Sequence, residues 1–337
     1  MEQVAVIGGG GWGTTLAIRI ANRGLGVRLW MREEELVERM LRRRDNPVFL
    51  PGITIPDAVV PTSHLDQVVE RAELIVGVVP SQFAREVYGS MTAATRSDVP
   101  MVLATKGIEE RTLALPVDVA RGILGDDRAY GVLSGPSFAA EVARGLPTAL
   151  VVASEQGDLG ERVQELLSSE SLRVYTNRDL VGVQLAGALK NVIAIAAGIL
   201  DGLGMGHNTL AALLTRGLAE ITRLGLALGG SPSTFSGLAG VGDLVVTCTG
   251  GLSRNRSVGQ ALGRGELLRE IVAHSSSVAE GIRTTRAARE LAHRSGVEMP
   301  IVEEMYRILY EDRSPGDAWA HLMSRPLTSE EEDSGRS

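Results

Sequence analysis

Short apolar runs rich in β-branched residues alternate with amphipathic segments along the first half of the chain. Six of these runs are predicted as strands, at residues 4–7, 27–30, 74–79, 101–105, 131–134 and 149–153. Strands that alternate with helical segments are typical of βαβ units, which build a mostly parallel sheet covered by helices. The sequence therefore predicts an α/β fold with a doubly wound sheet over residues 1–177.

The pattern changes after residue 177, where Ala, Leu, Gly and Ile recur at helical spacing. Helices are predicted at residues 179–203, 208–228, 283–295 and 302–311. We therefore expect an all-helical second domain over residues 178–327. The polar, acidic tail at residues 328–337 is expected to be disordered.

Two segments of the first half need separate treatment. Residues 33–44 form a predicted amphipathic helix with acids at its start and arginines at its end, which suits the helix dipole. Residues 46–61 contain four prolines and are predicted to form an irregular loop. This loop is either a simple connection or a flap near a cofactor.

Length, charge and cysteine content narrow the class of protein. A chain of 337 residues exceeds what one hydrophobic core usually supports, which favours two domains. The net charge of −7 argues against nucleic acid as a partner, yet it is compatible with a local basic pocket for a phosphorylated small molecule. Cys248 is the single cysteine, and no Cys/His spacing resembles a zinc site, so we expect neither an intramolecular disulfide nor a bound metal.

Neither a signal peptide nor a membrane span is predicted. The chain opens directly on a strand pattern, with no basic segment before an apolar one, and we expect a cytoplasmic protein. The longest apolar stretch, residues 181–203, is interrupted by Gln184, Lys190, Asn191 and Asp201. Because hydrocarbon penalises such side chains, we predict a buried helix and no integral membrane segment.

A glycine-rich turn follows the first predicted strand and precedes a helical segment. Its glycines at positions 8, 10 and 13 match the G-x-G-x-x-G fingerprint of dinucleotide-binding proteins. Gly8 permits a tight turn, Gly10 allows the backbone to approach a pyrophosphate, and Gly13 lets the helix pack on the strand. The order of strand, turn and helix therefore predicts a Rossmann-type domain that binds a nicotinamide dinucleotide.

The end of the second predicted strand bears on the choice of dinucleotide. In NAD-selective sites this strand normally ends in an acid that binds the ribose hydroxyls, whereas Arg32 stands here. An arginine can pair with the 2′-phosphate of NADP, so the sequence favours NADP and leaves NAD use open. The alternative is that Arg32 is an ordinary surface charge. Trp12 either packs beside the cofactor or fills the core.

Reduction of a carbonyl with such a cofactor needs a group that donates a proton to the developing alkoxide. Lys190 lies inside an apolar helical segment, where burial would lower its pKa and suit it to this role. The alternative is a lysine that snorkels to the surface or serves a structural ion pair.

Three further segments carry chemistry. Lys106 follows the strand predicted at 101–105, at the edge where doubly wound sheets bind ligands. Asp243 stands between glycines and either orients a lysine or a substrate hydroxyl, or caps a helix. Residues 253–256 (SRNR) offer hydroxyl, guanidinium and amide donors suited to a phosphate, although alone they could be a solvated loop.

Taken together, these residues resemble the bacterial-type NAD(P)-dependent glycerol-3-phosphate dehydrogenases over residues 1–326. The motifs that carry the resemblance are residues 8–13 (GGGGWG), 46–47 (NP), 104–107 (ATKG), 133–139 (LSGPSFA), 189–192 (LKNV), 215–220 (TRGLAE), 240–244 (GVGDL), 253–256 (SRNR) and 280–281 (EG). The implied fold is of the 6-phosphogluconate dehydrogenase type, a Rossmann domain followed by a helical domain that binds substrate.

The resemblance also implies roles for individual residues. The catalytic residues would be Lys190, as the proton donor or acceptor, Asp243, which would lie beside it, and Lys106. The triose phosphate would be held by Lys106, Gly135, Ser137, Lys190, Asp243, Ser253, Arg254 and Asn255. Cofactor contacts would come from Gly8, Gly10, Gly11, Trp12, Gly13, Arg32, Lys106, Ala139, Arg254, Val278 and Glu280.

The chain departs from the family pattern at two positions. Gly11 stands where family members often have serine, which removes one hydroxyl contact to the pyrophosphate. His207 stands where many have an acid or a small residue, and no consequence follows from the sequence.

The implied activity is the reversible reduction of dihydroxyacetone phosphate to sn-glycerol 3-phosphate, a precursor for glycerophospholipid synthesis. One alternative is a 2-hydroxy-acid or ketopantoate-type dehydrogenase on the same two-domain plan, which would need a carboxylate clamp. Another is a redox sensor that binds dinucleotide without turnover. A homodimer is compatible with the apolar helices of the second domain, which could equally be satisfied within one core.

Overall fold

A computed structural model describes residues 2–273, 279–327 and 329–330 of the chain. The chain divides into two compact units, residues 1–105 with 116–180, and residues 106–115 with 181–337. Residues 106–115 thus belong to the second unit although they precede three strands of the first. The predicted tail at 328–337 lies outside the described residues, apart from Ser329 and Glu330.

The first unit is built on an eight-stranded sheet with the order β10-β9-β8-β7-β6-β1-β2-β5. Neighbouring strands are parallel except for the pair β8 and β9. The strands are β1 (Gln3–Ile7), β2 (Gly26–Trp30), β3 (Asp45–Asn46), β4 (Leu50–Thr54), β5 (Val59–Thr62), β6 (Leu74–Gly77), β7 (Met101–Leu103), β8 (Tyr130–Ser134), β9 (Thr148–Ser154) and β10 (Leu172–Asn177). The predicted α/β fold with a mostly parallel, Rossmann-type sheet is confirmed.

The helices of this unit are α1 (Gly11–Ala21), α2 (Glu34–Arg43), α3 (Leu65–Val69), α4 (Ser81–Ser90), α5 (Pro116–Leu124), α6 (Ala139–Ala143) and α7 (Gly157–Leu167). The strands carry near-continuous buried apolar runs, as in Val4, Val6, Leu74 and Val76, because helices cover a parallel sheet on both faces.

The prediction of an irregular loop at 46–61 is wrong. Strands β3 and β4 form an antiparallel hairpin, and β5 pairs with β2 as the last strand of the large sheet. The prolines are tolerated because these strands lie at edges, where a missing backbone N–H leaves no ladder bond unmade. Strand β10 was also not predicted, because its exposed positions break the apolar run that the other strands show.

In the part of the second unit that the structure describes, the regular elements are all helices, which confirms the predicted all-helical character of this half. Its helices are α8 (Leu180–Gly202), α9 (His207–Ala227), α10 (Pro232–Phe235), α11 (Asp243–Thr249), α12 (Arg254–Gly263), α13 (Leu268–Ala273), α14 (Glu280–Arg294), α15 (Pro300–Tyr310) and α16 (Pro315–Met323), and a π-helical turn at Leu238–Gly242 runs into α11. Helix α8 is long and apolar enough to span a membrane, but the apolar window is buried inside the protein, as predicted for a core helix.

Glu220 gives a structural meaning to the acid of the 215–220 motif. Its side chain on α9 is buried and accepts hydrogen bonds from the backbone N–H groups of Ile301, at 2.7 Å, and Val302, at 3.3 Å. Glu220 therefore satisfies the free N–H groups at the start of α15. Burial raises the pKa of this carboxyl to about 7.

Helices α8 and α12 cross with their backbones in contact. A Cβ atom on Gly259 would lie 2.0 Å from the carbonyl oxygen of Ile195, and one on Gly198 would lie 2.0 Å from that of Arg256. Only glycine fits at such distances, so these residues set the position of α12 relative to α8.

We expect Gly259→Ala to lower the stability of the second unit by at least about 2 kcal/mol, because overpacking at a backbone contact forces the helices apart. Calorimetry on the full chain would record this as a lower Tm. Gly122→Ala is the matched control: Gly122 lies in α5 with nothing within 4 Å of a Cβ, so alanine there should stabilise slightly. Equal Tm values for both variants would contradict the close crossing.

Candidate active site

The glycine-rich turn joins β1 to α1 and has the geometry of a pyrophosphate cradle. Gly8 has a φ of +119°, and a Cβ there would lie 2.7 Å from the carbonyl oxygen of Val78. A Cβ on Gly13 would lie 1.8 Å from the carbonyl oxygen of Gly8. Gly10 is the N-cap residue of α1, and because it has no side chain, none covers the first N–H groups of the helix. A Cβ on Gly10 would meet nothing within 4 Å. The start of α1 thus has free space beside backbone N–H groups, which fits an anionic group.

Two neighbours of this turn bear on the predicted cofactor contacts. A Cβ on Gly11 would lie 2.7 Å from the carbonyl oxygen of Phe49, so a side chain at position 11 would require the backbone at Phe49 to move. The buried indole nitrogen of Trp12 has no hydrogen-bond acceptor among the described residues. A donor left without an acceptor fits a ligand contact better than simple filling of the core.

The other predicted ligand contacts of the first unit follow its strands. Arg32 follows β2, has 79% of its side chain exposed and pairs loosely with Glu33 at 3.3 Å. Gly135 follows β8 with a φ of +121°, and the Ser137 hydroxyl donates to the Gly135 carbonyl oxygen at 3.0 Å. Ala139 begins α6. Ends of strands in open α/β sheets are where ligands bind, so the placement fits the prediction.

The second unit brings together three charged residues that are far apart in sequence. The carboxylate of Asp243, at the start of α11, accepts hydrogen bonds from two ammonium groups. Lys190 Nζ lies 2.5 Å from Oδ1, and Lys106 Nζ lies 2.7 Å from Oδ2. All three are shielded from water, with side-chain exposures of 1% for Asp243, 8% for Lys190 and 15% for Lys106.

Thr247 completes this lysine–aspartate cluster, and the sequence did not single it out. Its hydroxyl accepts a hydrogen bond from Lys190 Nζ at 2.8 Å and donates to the backbone carbonyl of Asp243 at 2.6 Å. Thr247 lies four residues after Asp243, on the same face of α11. That spacing was the signal that could have found it.

The electrostatics of the cluster favour proton transfer at Lys190. Burial lowers the pKa of Lys190 to about 8, and the second ammonium, on Lys106, lowers it as well. Asp243 acts in the opposite direction and keeps the charged form accessible. A lysine with a pKa near neutrality can both give and take a proton.

A chain of amide hydrogen bonds runs beside the cluster. Asn191 Nδ2 points to the carbonyl oxygen of Lys106 at 3.5 Å, and Asn191 Oδ1 accepts from Asn255 Nδ2 at 2.9 Å. Asn255 Oδ1 in turn accepts from the backbone N–H of Gly281 at 3.0 Å. Both ends of the Asn255 amide thus form hydrogen bonds within the protein, which fits a positioning role for Asn255 in addition to the predicted phosphate contact.

The remaining predicted residues of the second unit lie around the ends of its helices. Ser253 is buried and caps α12, where its hydroxyl accepts from the backbone N–H of Arg256 at 3.3 Å. Arg254 is exposed at the first position of that helix, and Glu280 is half-buried at the first position of α14. His207 is exposed at the start of α9, and Val278 lies outside the described residues.

Lysine usage across the chain points to the same cluster. Lys106 and Lys190 are the only lysines among 337 residues, and every other basic side chain of this size is an arginine. Arginine stays protonated in proteins, whereas lysine can lose its proton when buried. Both lysines of the chain therefore lie in the cluster around Asp243.

A Rossmann-type unit with a glycine turn, followed by a helical unit with a buried lysine–carboxylate pair, defines a nicotinamide-dependent dehydrogenase. Family models agree: the model described as NAD-dependent glycerol-3-phosphate dehydrogenase N-terminus matches residues 3–159, and the corresponding C-terminus model matches residues 179–320. The chain belongs to the NAD-dependent glycerol-3-phosphate dehydrogenase family.

Individual relatives are similar over nearly the full length. A glycerol-3-phosphate dehydrogenase [NAD(P)+] of Geobacter sulfurreducens is 51% identical, over 98% of this chain and 99% of its own. The namesake from Koribacter versatilis is 52% identical over the same shares. The crystal structure of glycerol-3-phosphate dehydrogenase from Coxiella burnetii superposes with a TM-score of 0.93 at 39% identity, over 96% of this chain and 99% of that one.

We expect Thr247→Val to shift the pKa of Lys190 below 8, because the ammonium loses an acceptor and its charged form becomes harder to bury. With only two lysines, labelling lysine with ¹³C at Cε gives two side-chain signals to titrate by NMR. The signal that disappears in Lys190→Ala is that of Lys190.

Thr247→Ser keeps the hydroxyl and is the matched control, so its Lys190 titration should stay near that of the wild type. If valine and serine variants titrate alike, Thr247 does not hold the ammonium of Lys190.

Proposed function

We propose that the chain catalyses the reversible, NAD(P)-dependent reduction of dihydroxyacetone phosphate to sn-glycerol 3-phosphate. The observation that carries this proposal is the buried cluster in which Asp243 binds both Lys190 and Lys106. Membership of the family and the printed names of the relatives support the same substrate pair.

Lys190 acts as the acid in reduction and as the base in oxidation. Bound NADPH or NADH would supply the hydride to C2 of the ketone. Lys190 Nζ donates a proton to the oxygen on that carbon, and the pKa of about 8 leaves most of the amine charged at pH 7. Asp243 stabilises that charge, and Thr247 fixes the direction of the ammonium.

The phosphate of the substrate is assigned to the donors of the second unit. Arg254 presents an exposed guanidinium at the start of α12, where backbone N–H groups also favour an anion. Lys106 adds a second cation. Ser253 and Asn255 support this end of α12 through the bonds described above, and Gly135 and Ser137 of the first unit are proposed as further substrate contacts.

The proposal extends to the division of labour and to the cellular setting. We assign residues 1–177 to cofactor binding and residues 178–327 to substrate binding and catalysis. Within the cell, we infer a cytoplasmic enzyme that supplies glycerophospholipid synthesis. The buried single cysteine is compatible with that compartment. We also infer that the enzyme is a homodimer and that it binds no metal.

Dehydrogenases of 2-hydroxy acids or of ketopantoate remain the competing enzyme class, and a sensor without turnover is the competing non-enzyme. The hydroxy-acid hypothesis requires side chains that bind a carboxylate of the substrate instead of a phosphate. The sensor hypothesis does not explain why Lys190 is buried with a lowered pKa beside Asp243, whose carboxylate also binds Lys106.

The wild-type protein should oxidise NADPH or NADH, followed at 340 nm, when dihydroxyacetone phosphate is added. Lys190→Ala should lower kcat by at least about a hundredfold, because positioned proton transfer contributes that much. Its fold should be retained, which circular dichroism and Tm would check. Ketopantoate and pyruvate are the comparison substrates: a faster rate with either would overturn the substrate assignment.

Arg32 allows a separate test of cofactor choice. We expect Arg32→Ala to raise KM for NADPH by about tenfold or more while KM for NADH changes little, because only NADPH carries the 2′-phosphate. Arg28→Ala, in the strand β2 that precedes Arg32, is a control for loss of positive charge. Equal effects on both dinucleotides would assign Arg32 to the surface and remove the preference for NADP.

A further inference from the structure

Asn46 belongs to the Asn46-Pro47 motif, for which neither the sequence nor the proposed reaction supplies a role. It lies in β3 of the hairpin that was expected to be an irregular loop, and its partner in that hairpin is Leu50. Its side chain is fully buried, at 0% exposure. A buried amide must be hydrogen-bonded, so its partners indicate its purpose.

The amide of Asn46 binds the glycine-rich turn. Nδ2 donates to the carbonyl oxygen of Gly9 at 3.0 Å and to Thr14 Oγ1 at 2.9 Å. Oδ1 accepts from the backbone N–H of Phe49 at 3.2 Å, so both ends of the amide are in use. Thr14 Oγ1 also donates to Gly9 at 3.1 Å, and the Gly9 carbonyl thus receives two donors.

This arrangement decides which way the turn presents its peptide groups. A diphosphate is bound by backbone N–H groups that point at it, and it is repelled by carbonyl oxygens that do the same. Two buried donors hold the Gly9 carbonyl on the protein side of the turn. The peptide N–H groups at the start of α1 then remain available on the other side.

The turn needs such a restraint because of its composition. Residues 8–11 are four consecutive glycines, which lose more conformational entropy on ordering than any other residue type. A turn that had to be ordered by its ligand would bind that ligand more weakly. A fixed amide from a neighbouring hairpin orders it in advance.

We propose that Asn46 is a positioning residue for the cofactor, which holds the Gly9 carbonyl inward and so presets the glycine turn for the dinucleotide diphosphate. This inference rests on the proposed function, since it requires that the first unit binds NAD(P). Asn46 acts through the turn and is not assigned a contact with the cofactor itself.

The test compares dinucleotide affinity and stability in the full chain. Kd for NADPH is measured by calorimetry, Tm without ligand by scanning calorimetry, and kcat and KM for dihydroxyacetone phosphate at saturating NADPH. Asn46→Ala should raise Kd for NADPH by about tenfold or more, because the ligand must then order the turn. With NADPH saturating, kcat and KM for the ketone should stay within about twofold, because the lysine–aspartate cluster is untouched.

Ser154→Ala is the matched control for loss of a buried hydrogen bond in the same unit. Its hydroxyl donates to the carbonyl oxygen of Tyr130 at 2.9 Å and accepts from the backbone N–H of Gln156 at 3.2 Å, and neither partner belongs to the glycine turn. It should lower Tm but leave Kd for NADPH unchanged. If Ser154→Ala and Asn46→Ala weaken NADPH equally, or if Asn46→Ala binds as well as the wild type, the inference is overturned.

Thr14 provides a second route if Asn46→Ala does not fold. Thr14→Val removes one of the two donors to Gly9, and Thr14→Ser keeps it. A higher Kd in the valine variant that serine restores supports the inference, and equal Kd values overturn it. A wild-type protein that binds neither NADPH nor NADH would instead contradict the proposed function.

Discussion

The carboxylate of Asp243 is the constraint around which the second unit is organised. With 1% of its side chain exposed, it is stabilised only if cations reach it from the surrounding chain. Lys190 lies in the middle of α8. Lys106 lies in the segment 106–115, which is separated in sequence from the helices of the second unit by three strands. The Lys106–Asp243 ion pair is therefore one of the interactions that join residues 106–115 to the helical unit.

The same cluster shows how much its chemistry depends on residue type. Two ammonium groups share one carboxylate, and burial of Lys190, with a smaller contribution from the ammonium of Lys106, lowers the pKa of Lys190. An arginine can also pair with a carboxylate, but it does not release its proton in proteins, so the proposed proton transfer requires lysine.

Sequence patterns predicted the parts that depend on local rules and missed those that depend on tertiary contacts. The apolar setting of Lys190 indicated burial, with a side chain that snorkels to the surface as the alternative, and the glycine spacing predicted the turn after β1. Thr247 was missed because a threonine in a helix is unremarkable until its partner is known. The hairpin at 45–54 was missed because its prolines indicated an irregular loop, whereas its role in placing Asn46 is visible only in three dimensions.

The chain contains 40 glycines, and they serve opposite purposes in the two units. In the turn after β1 it supplies conformations and space that a ligand needs, and the resulting freedom is restrained from outside by Asn46. Between α8 and α12 it removes space, so that two helix backbones touch and fix Asn255 beside Asn191. The first use exposes peptide groups to a cofactor, and the second hides them from water. Precision in both places comes from what packs against the glycine, because glycine itself provides none.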